Sequence, residues 1–299
     1  MKKDPLYYGI LSAGISFVLM IVIFVYFAVS DYIGKRQHPE VRKEEEAERL
    51  DPNRFKEFKV ITGIDQSPMV LIPEGTFVMG SPPVDGDPDE IPQRTIYLSA
   101  YYIDLYEVTH AQFKNYLKGI GSKEKLVIPV FEDNPALLLA DNLPANGVSW
   151  DSASDYCHWL GKRLPTEAEW EKAARGERGL KWPWGNNWKE GAANIQGDED
   201  HFKYTSPPGS FERGRSPYGL YDMAGNVGEW VSDWYDGAYY LSGPFKDPKG
   251  PSNGKFKVYR GGSWEDAPAN VRSAKRFEAA PHQSSAVIGF RCAKEAGSE

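Results

Sequence analysis

Residues 260–292, RGGSWEDAPANVRSAKRFEAAPHQSSAVIGFRC, collect the side chains best suited to chemistry. They are Ser263 after a Gly-Gly pair, the carboxylates Glu265 and Asp266, the guanidinium groups of Arg272 and Arg276, and the thiol of Cys292. A serine nucleophile needs a neighbouring base and a strained strand-to-helix elbow, and Ser263 has neither, so it is read as a turn residue. Gly261 and Gly262 precede no helix start, which favours close backbone packing over phosphate binding. The two acids and two arginines would line a polar cleft or would satisfy one another as a structural ion-pair network; both readings stand. The histidines, His38, His110, His158, His201 and His282, lack the spacing that puts two metal ligands on one helical face.

Several elements must position these groups. MVLIPEGTFVMGS alternates apolar and polar residues around Pro73-Glu74-Gly75 and predicts a hairpin opening a domain near Ser67. An acidic, Pro-rich loop, PPVDGDPDEIPQ, separates it from β-type residues in TIYLSAYYIDLYEVT. Thr109 predicts a cap for a helix with Phe113, Tyr116 and Leu117 on one face. Ser149 or Asp151 caps a second, burying Ala153, Tyr156, Cys157 and Leu160. Thr166 and Glu169 form a capping box for a third, which Gly176 stops. Beyond Gly176, Gly, Pro, Asn, Asp and aromatic residues predict long irregular loops pinned by Trp and Tyr. The formal charge of -7 and the absence of a basic, aromatic-interleaved stripe argue against nucleic acid as a partner.

Residues 4–31 enclose an uncharged apolar run long enough to cross roughly 30 Å of hydrocarbon as one helix. It is read as a single-pass membrane anchor within residues 1–34; the alternative is a cleaved signal peptide with Lys2 and Lys3 as its basic start. Residues 35–66 are rich in both charges and read as a stalk or a solvated helix packed on the domain at 67–299. Lys35, Arg36, Arg42 and Lys43 outnumber the lysines before the run, so charge counting alone places the domain in the cytoplasm.

GKRLPTEAEWEKAARG, WPWGN, ANIQGDED, YGLYDMAGNVGEWVSDWY, YRGGSW, RSAKR and GFRCA occur in this order. Together they resemble the formylglycine-generating enzyme, or sulfatase-modifying factor, family. The resemblance implies an α+β, C-type-lectin-like fold with a small twisted antiparallel core, a few helices and much irregular structure. It also implies copper(I) held by two cysteines after the Gly-Gly-Ser turn, since thiolate suits a soft monovalent metal. Those positions are Asp266 and Val271 in this chain, so copper and formylglycine-generating activity are not expected.

Three further expectations follow from the resemblance. Cys157 and Cys292 match a structural disulfide pair, against the alternative of two buried free thiols; a disulfide would place the domain in an oxidising, exported compartment. Calcium is implied at two loops: Asp222 and Glu229 with the carbonyls of Gly225 and Val227, and Asn194 and Asp200 with those of Ile195 and Phe202. A metal-free Asx-type turn accounts for the same residues. Finally, Gly228 stands where the family carries Trp, which would reshape the cleft floor. The expected function is a membrane-anchored, non-catalytic interaction module, an accessory subunit of a membrane complex. The alternative is an enzyme using another site built on Glu265, Asp266 and an arginine.

Overall fold

The computed structural model describes residues 58–122, 139–197 and 200–297. The apolar segment 4–31 and most of the 35–66 stalk lie outside the described residues; among those described, no helix is long and apolar enough to cross a membrane. The sheet begins ahead of Ser67. Strand β1 (Val60–Thr62) pairs antiparallel with β2 (Pro68–Ile72), which takes the end of the expected stalk into the fold.

The hairpin expected around Pro73-Glu74-Gly75 is corrected. Strand β2 pairs with β5 (Tyr101–Asp104), and β3 (Gly75–Met79) pairs with β4 (Arg94–Leu98). Ile72 faces Tyr101 and Gly75 faces Leu98 in one continuous register, so the four strands form one long ribbon bent at residues 73–74. Its turn is the acidic loop. The bend is held from below by Lys172, whose Nζ donates to the carbonyls of Pro73 (2.6 Å) and Gly75 (3.1 Å).

Three helices follow their predicted caps. Thr109 and Gln112 close a capping box on α1 (His110–Gly119), Ser149 caps α2 (Trp150–Trp159), and Thr166 with Glu169 caps α3 (Glu167–Arg175). Gly176 ends α3 at φ 67°, a conformation costly for any residue with a Cβ. A second sheet, in the order β8 (Arg276–Ala279), β7 (Lys257–Arg260), β6 (Gly228–Trp234), β9 (Ile288–Gly289), carries one parallel contact, between β6 and β9. The core is therefore not wholly antiparallel. Strand β10 (Ala293–Glu295) returns to the first sheet beside β5.

Helix α3 packs on β3, β4, β6 and β7 and is buried all round, with Trp170 at the centre of one apolar cluster. Phe113, Tyr156, Trp230 and Phe290 centre a second cluster, which contains Cys157 and Cys292. These two cysteines are joined, with Cα atoms 5.7 Å apart across 135 residues of sequence. Closing so long a loop restricts the unfolded chain enough to stabilise the fold by up to about 5 kcal/mol.

Candidate functional site

The two positions implied for copper thiolates are both occupied by groups with structural work. Asp266 Oδ2 accepts from the backbone N–H and the hydroxyl of Ser263, both at 2.9 Å, and closes the turn after Gly261-Gly262. Val271 is fully buried, packed with Trp182, Ala224 and the flanks of Trp184, Trp188 and Ile195. The fold still brings the two positions to one point. A Cβ on Gly262 would lie 2.9 Å from Val271 Cγ1 and 3.4 Å from Asp266 Oδ2. That point offers one hard oxygen donor and one methyl group, neither of which serves copper(I).

Gly228 is covered by a ring from the neighbouring strand. A Cβ there would come within 2.7 Å of Tyr259 Cδ2. Tyr259 stacks on Phe277 at 5.0 Å and meets Trp230 edge-on at 5.7 Å. Burial and the nearby Asp266 push its hydroxyl up to about 12, and the same two causes raise the Glu265 carboxyl. Arg272 and Arg276 do not join these acids. Arg272 forks onto Glu90 (2.6 and 2.8 Å) and Arg276 onto Glu167 (2.7 and 3.0 Å), which decides for the ion-pair reading of both arginines.

The two loops implied for calcium meet each other and the Gly-Gly-Ser turn. Asn226 N–H donates to the Asn194 carbonyl (2.8 Å), and Asn194 Nδ2 donates to Asn226 Oδ1 (3.1 Å). Gly225 N–H donates to Gly261 O, Gln196 N–H to Asp266 O, and Trp264 N–H to Asn226 O, each at 3.0 Å. Gly225 is required by this knot, because a Cβ there would sit 2.1 Å from the Asn194 carbonyl oxygen.

Within the knot, Asn194 Oδ1 is buried and has no hydrogen-bond partner, although its Nδ2 is fully used. An orphaned amide oxygen fits a cation ligand. Asp200 instead caps its own loop, accepting from Ile195 N–H (3.1 Å) and Phe202 N–H (2.9 Å), as a metal-free Asx turn would. In the other loop, Asp222 is at φ 57°, and its Oδ2 accepts from Gly209 N–H at 2.6 Å. Glu229 is fully buried, gripped by Arg291 through both oxygens (2.6 Å each) and by Trp170 Nε1 (2.8 Å).

A third acid was not foreseen. Glu107, 2% exposed, accepts from Asn226 Nδ2 at 2.6 Å and Val227 N–H at 3.3 Å. Burial first, then the Asp222 and Glu229 charges, raise its carboxyl well above the usual range. Burial also raises Asp222, to about 6. Three buried acids thus share the Arg291 charge, an excess that fits a dication. Among the described residues, no three His, Cys, Asp or Glu side chains converge as a metal cage by themselves. Any cation held in this knot would therefore recruit amide and backbone oxygens.

Residues 55–296 match the sulfatase-modifying factor enzyme 1-like domain. The chain belongs to the sulfatase-modifying factor family. The formylglycine-generating enzyme of Mus musculus is 35% identical over 76% of this chain and 75% of its own length. The inactive C-alpha-formylglycine-generating enzyme 2 of the same organism is 33% identical, over 77% of this chain and 86% of its own. The serine/threonine-protein kinase pkn1 of Chlamydia pneumoniae is 36% identical over 86% of this chain, which spans only 41% of that protein. Among solved structures, PvdO from Pseudomonas aeruginosa aligns with a TM-score of 0.69 and 31% identity, over 79% of this chain and 98% of PvdO.

For this sulfatase-modifying-factor domain, Glu107 was the residue missed from sequence. Its only local signal was an acid in the apolar run LYEVT just ahead of the α1 cap. Asn226 was missed as well, though an Asn after Gly in AGNVGEW is a fit for its φ of 61°.

The raised Asp222 carboxyl has a signed consequence. Its folded value of about 6 exceeds the unfolded 3.8, so its contribution is retained below pH 3.8 and lost as pH rises toward 6. In chelator-treated protein, Asp222→Asn should gain stability relative to the wild type between pH 4 and pH 7, by up to about 3 kcal/mol in urea unfolding. A constant difference across that range would show that Asp222 ionises normally in the fold.

Proposed function

We propose that this sulfatase-modifying-factor domain is a non-catalytic interaction module on an exported membrane face, an accessory subunit of a membrane complex. One observation carries the reading. The chain's only two cysteines are joined as Cys157–Cys292, so no thiol is left for copper or for a substrate disulfide. The family's thiol positions have become a turn cap and a core residue, and the scaffold around them is intact. Relatives of similar identity carry names of an active enzyme, an inactive one and a kinase, so membership of the family does not supply an activity.

The disulfide supports export, because such bonds persist in oxidising compartments. The uncharged run within residues 4–31 supports a single-pass anchor. Calcium is proposed as a structural ion, held at one loop by Asn194, Asp200 and the carbonyls of Ile195 and Phe202. At the other it would be held by Asp222, Glu229 and the carbonyls of Gly225 and Val227. Support comes from the orphaned Asn194 oxygen and from the excess of buried acids over Arg291. The calcium would neutralise that excess and knit the loops; it supplies no bond chemistry in this reading.

Two outcomes are expected. Calcium should raise the melting temperature of chelator-treated protein by several degrees, and Asn194→Ala should shrink the rise; an unchanged melt would remove calcium from the proposal. Mild-detergent extraction from the native membrane should yield the protein with at least one stoichiometric partner. Migration of the extracted protein as a lone chain would count against the accessory-subunit reading.

A further inference from the structure

The connection between β6 and β7 carries a combination found on no other described loop of the domain. Leu241 is 73% exposed, Phe245 66% and Phe256 41%, and the exposed Lys246, Lys249 and Lys255 lie among them. Its backbone is fixed rather than loose. Tyr97 N–H donates to Phe245 O (2.8 Å), Asp247 N–H donates to Tyr97 O (2.9 Å), and the Phe245 ring rests on the Arg94 guanidinium at 4.4 Å. At its end, Lys257 Nζ is clamped between the faces of Trp150 (3.8 Å) and Trp234 (3.9 Å).

The carboxylates on this connection are tied to the protein. Asp236 accepts from Ala238 N–H, and Asp247 accepts from Ser99 N–H (2.7 Å) and the Ser99 hydroxyl (2.9 Å). The three exposed lysines outnumber these two aspartates, and Lys246 holds its Nζ over the Tyr97 ring at 5.4 Å.

A chain of net charge -7 is repelled by an anionic surface as a whole, so only a locally basic face with apolar tips can settle on one. We infer that the β6–β7 connection is a peripheral docking surface for an anionic lipid bilayer. Leu241, Phe245 and Phe256 enter the headgroup boundary and Lys246, Lys249 and Lys255 meet the lipid charges. The inference takes its cellular setting from the proposed membrane anchoring, but lipid binding by the domain does not require the anchor.

The domain is suited to a test without the anchor: residues 56–299 form one compact unit with its own cores. Purified domain should sediment with phosphatidylcholine vesicles that contain phosphatidylglycerol, and not with phosphatidylcholine alone. Neutralising the lysines as Lys246→Gln, Lys249→Gln and Lys255→Gln should weaken binding about fivefold each. Leu241→Asp with Phe245→Asp should weaken it further, while Val84→Asp, at a 90% exposed site on the acidic loop, should not. No sedimentation with anionic vesicles, or undiminished binding by the triple lysine variant, overturns the inference. The anchor is judged separately: full-length chain released from native membranes by alkaline carbonate contradicts the anchor, whatever the vesicles show.

Discussion

The fold depends on a set of guanidinium groups held inside it. Arg260, Arg276 and Arg291 are buried; Arg276 forks onto Glu167 and Arg291 onto Glu229, while Arg260 bridges Glu167 and Glu171, all at 2.6–3.0 Å. Arg260 also donates to the Ser273 carbonyl, Arg276 to those of Asp89 and Asp236, and Arg291 to those of Asp104, Leu105 and Tyr221. A domain with so much irregular chain leaves many carbonyls without a ladder partner, and buried carbonyls must be paired. Arginine, with five donors in a rigid fork, can pair an acid and several carbonyls at once. Removing one member would strand a buried charge at a cost of about 3–5 kcal/mol, so the network holds whatever happens to the chemistry beside it.

That independence lets the residues between the ionic anchors vary without loss of the scaffold. The turn at Gly261 begins one residue after Arg260, and the loop holding Asp222 ends at Glu229, the partner of Arg291. Both ends are anchored by the ionic core. Between them, Asp266 finds two donors in Ser263, and Val271 finds an indole-lined hole. The Tyr259 ring lies against Gly228, where a Cβ would come within 2.7 Å of it. Each of these residues is accommodated by local packing or hydrogen bonding.

Local features of the fold were legible in the sequence because their physics is local. The caps at Thr109, Ser149 and Thr166, and the stop at Gly176, each need only the residues within one helical turn. The strands around Pro73-Glu74-Gly75 were legible too, but not their partners. Pairing was set across the acidic loop and by Lys172, about a hundred residues away in sequence, which holds the bend. The candidate loops were legible through ordered motifs, whereas Glu107 joins them only once α1 and the knot at Asn226 are in place. Arg272 and Arg276 could not be assigned from sequence, since their partners Glu90 and Glu167 come from segments far upstream.

Loss of thiol chemistry on a maintained scaffold is the centre of the proposal, and one measurement addresses it directly. Purified protein, its copper(I) supply ensured, is incubated with a sulfatase peptide containing the substrate cysteine, and the peptide is weighed by mass spectrometry. The expected spectrum contains only the unmodified cysteine peptide. A formylglycine-bearing product that scales with protein concentration would contradict the proposal and return the chain to the enzymes of its family.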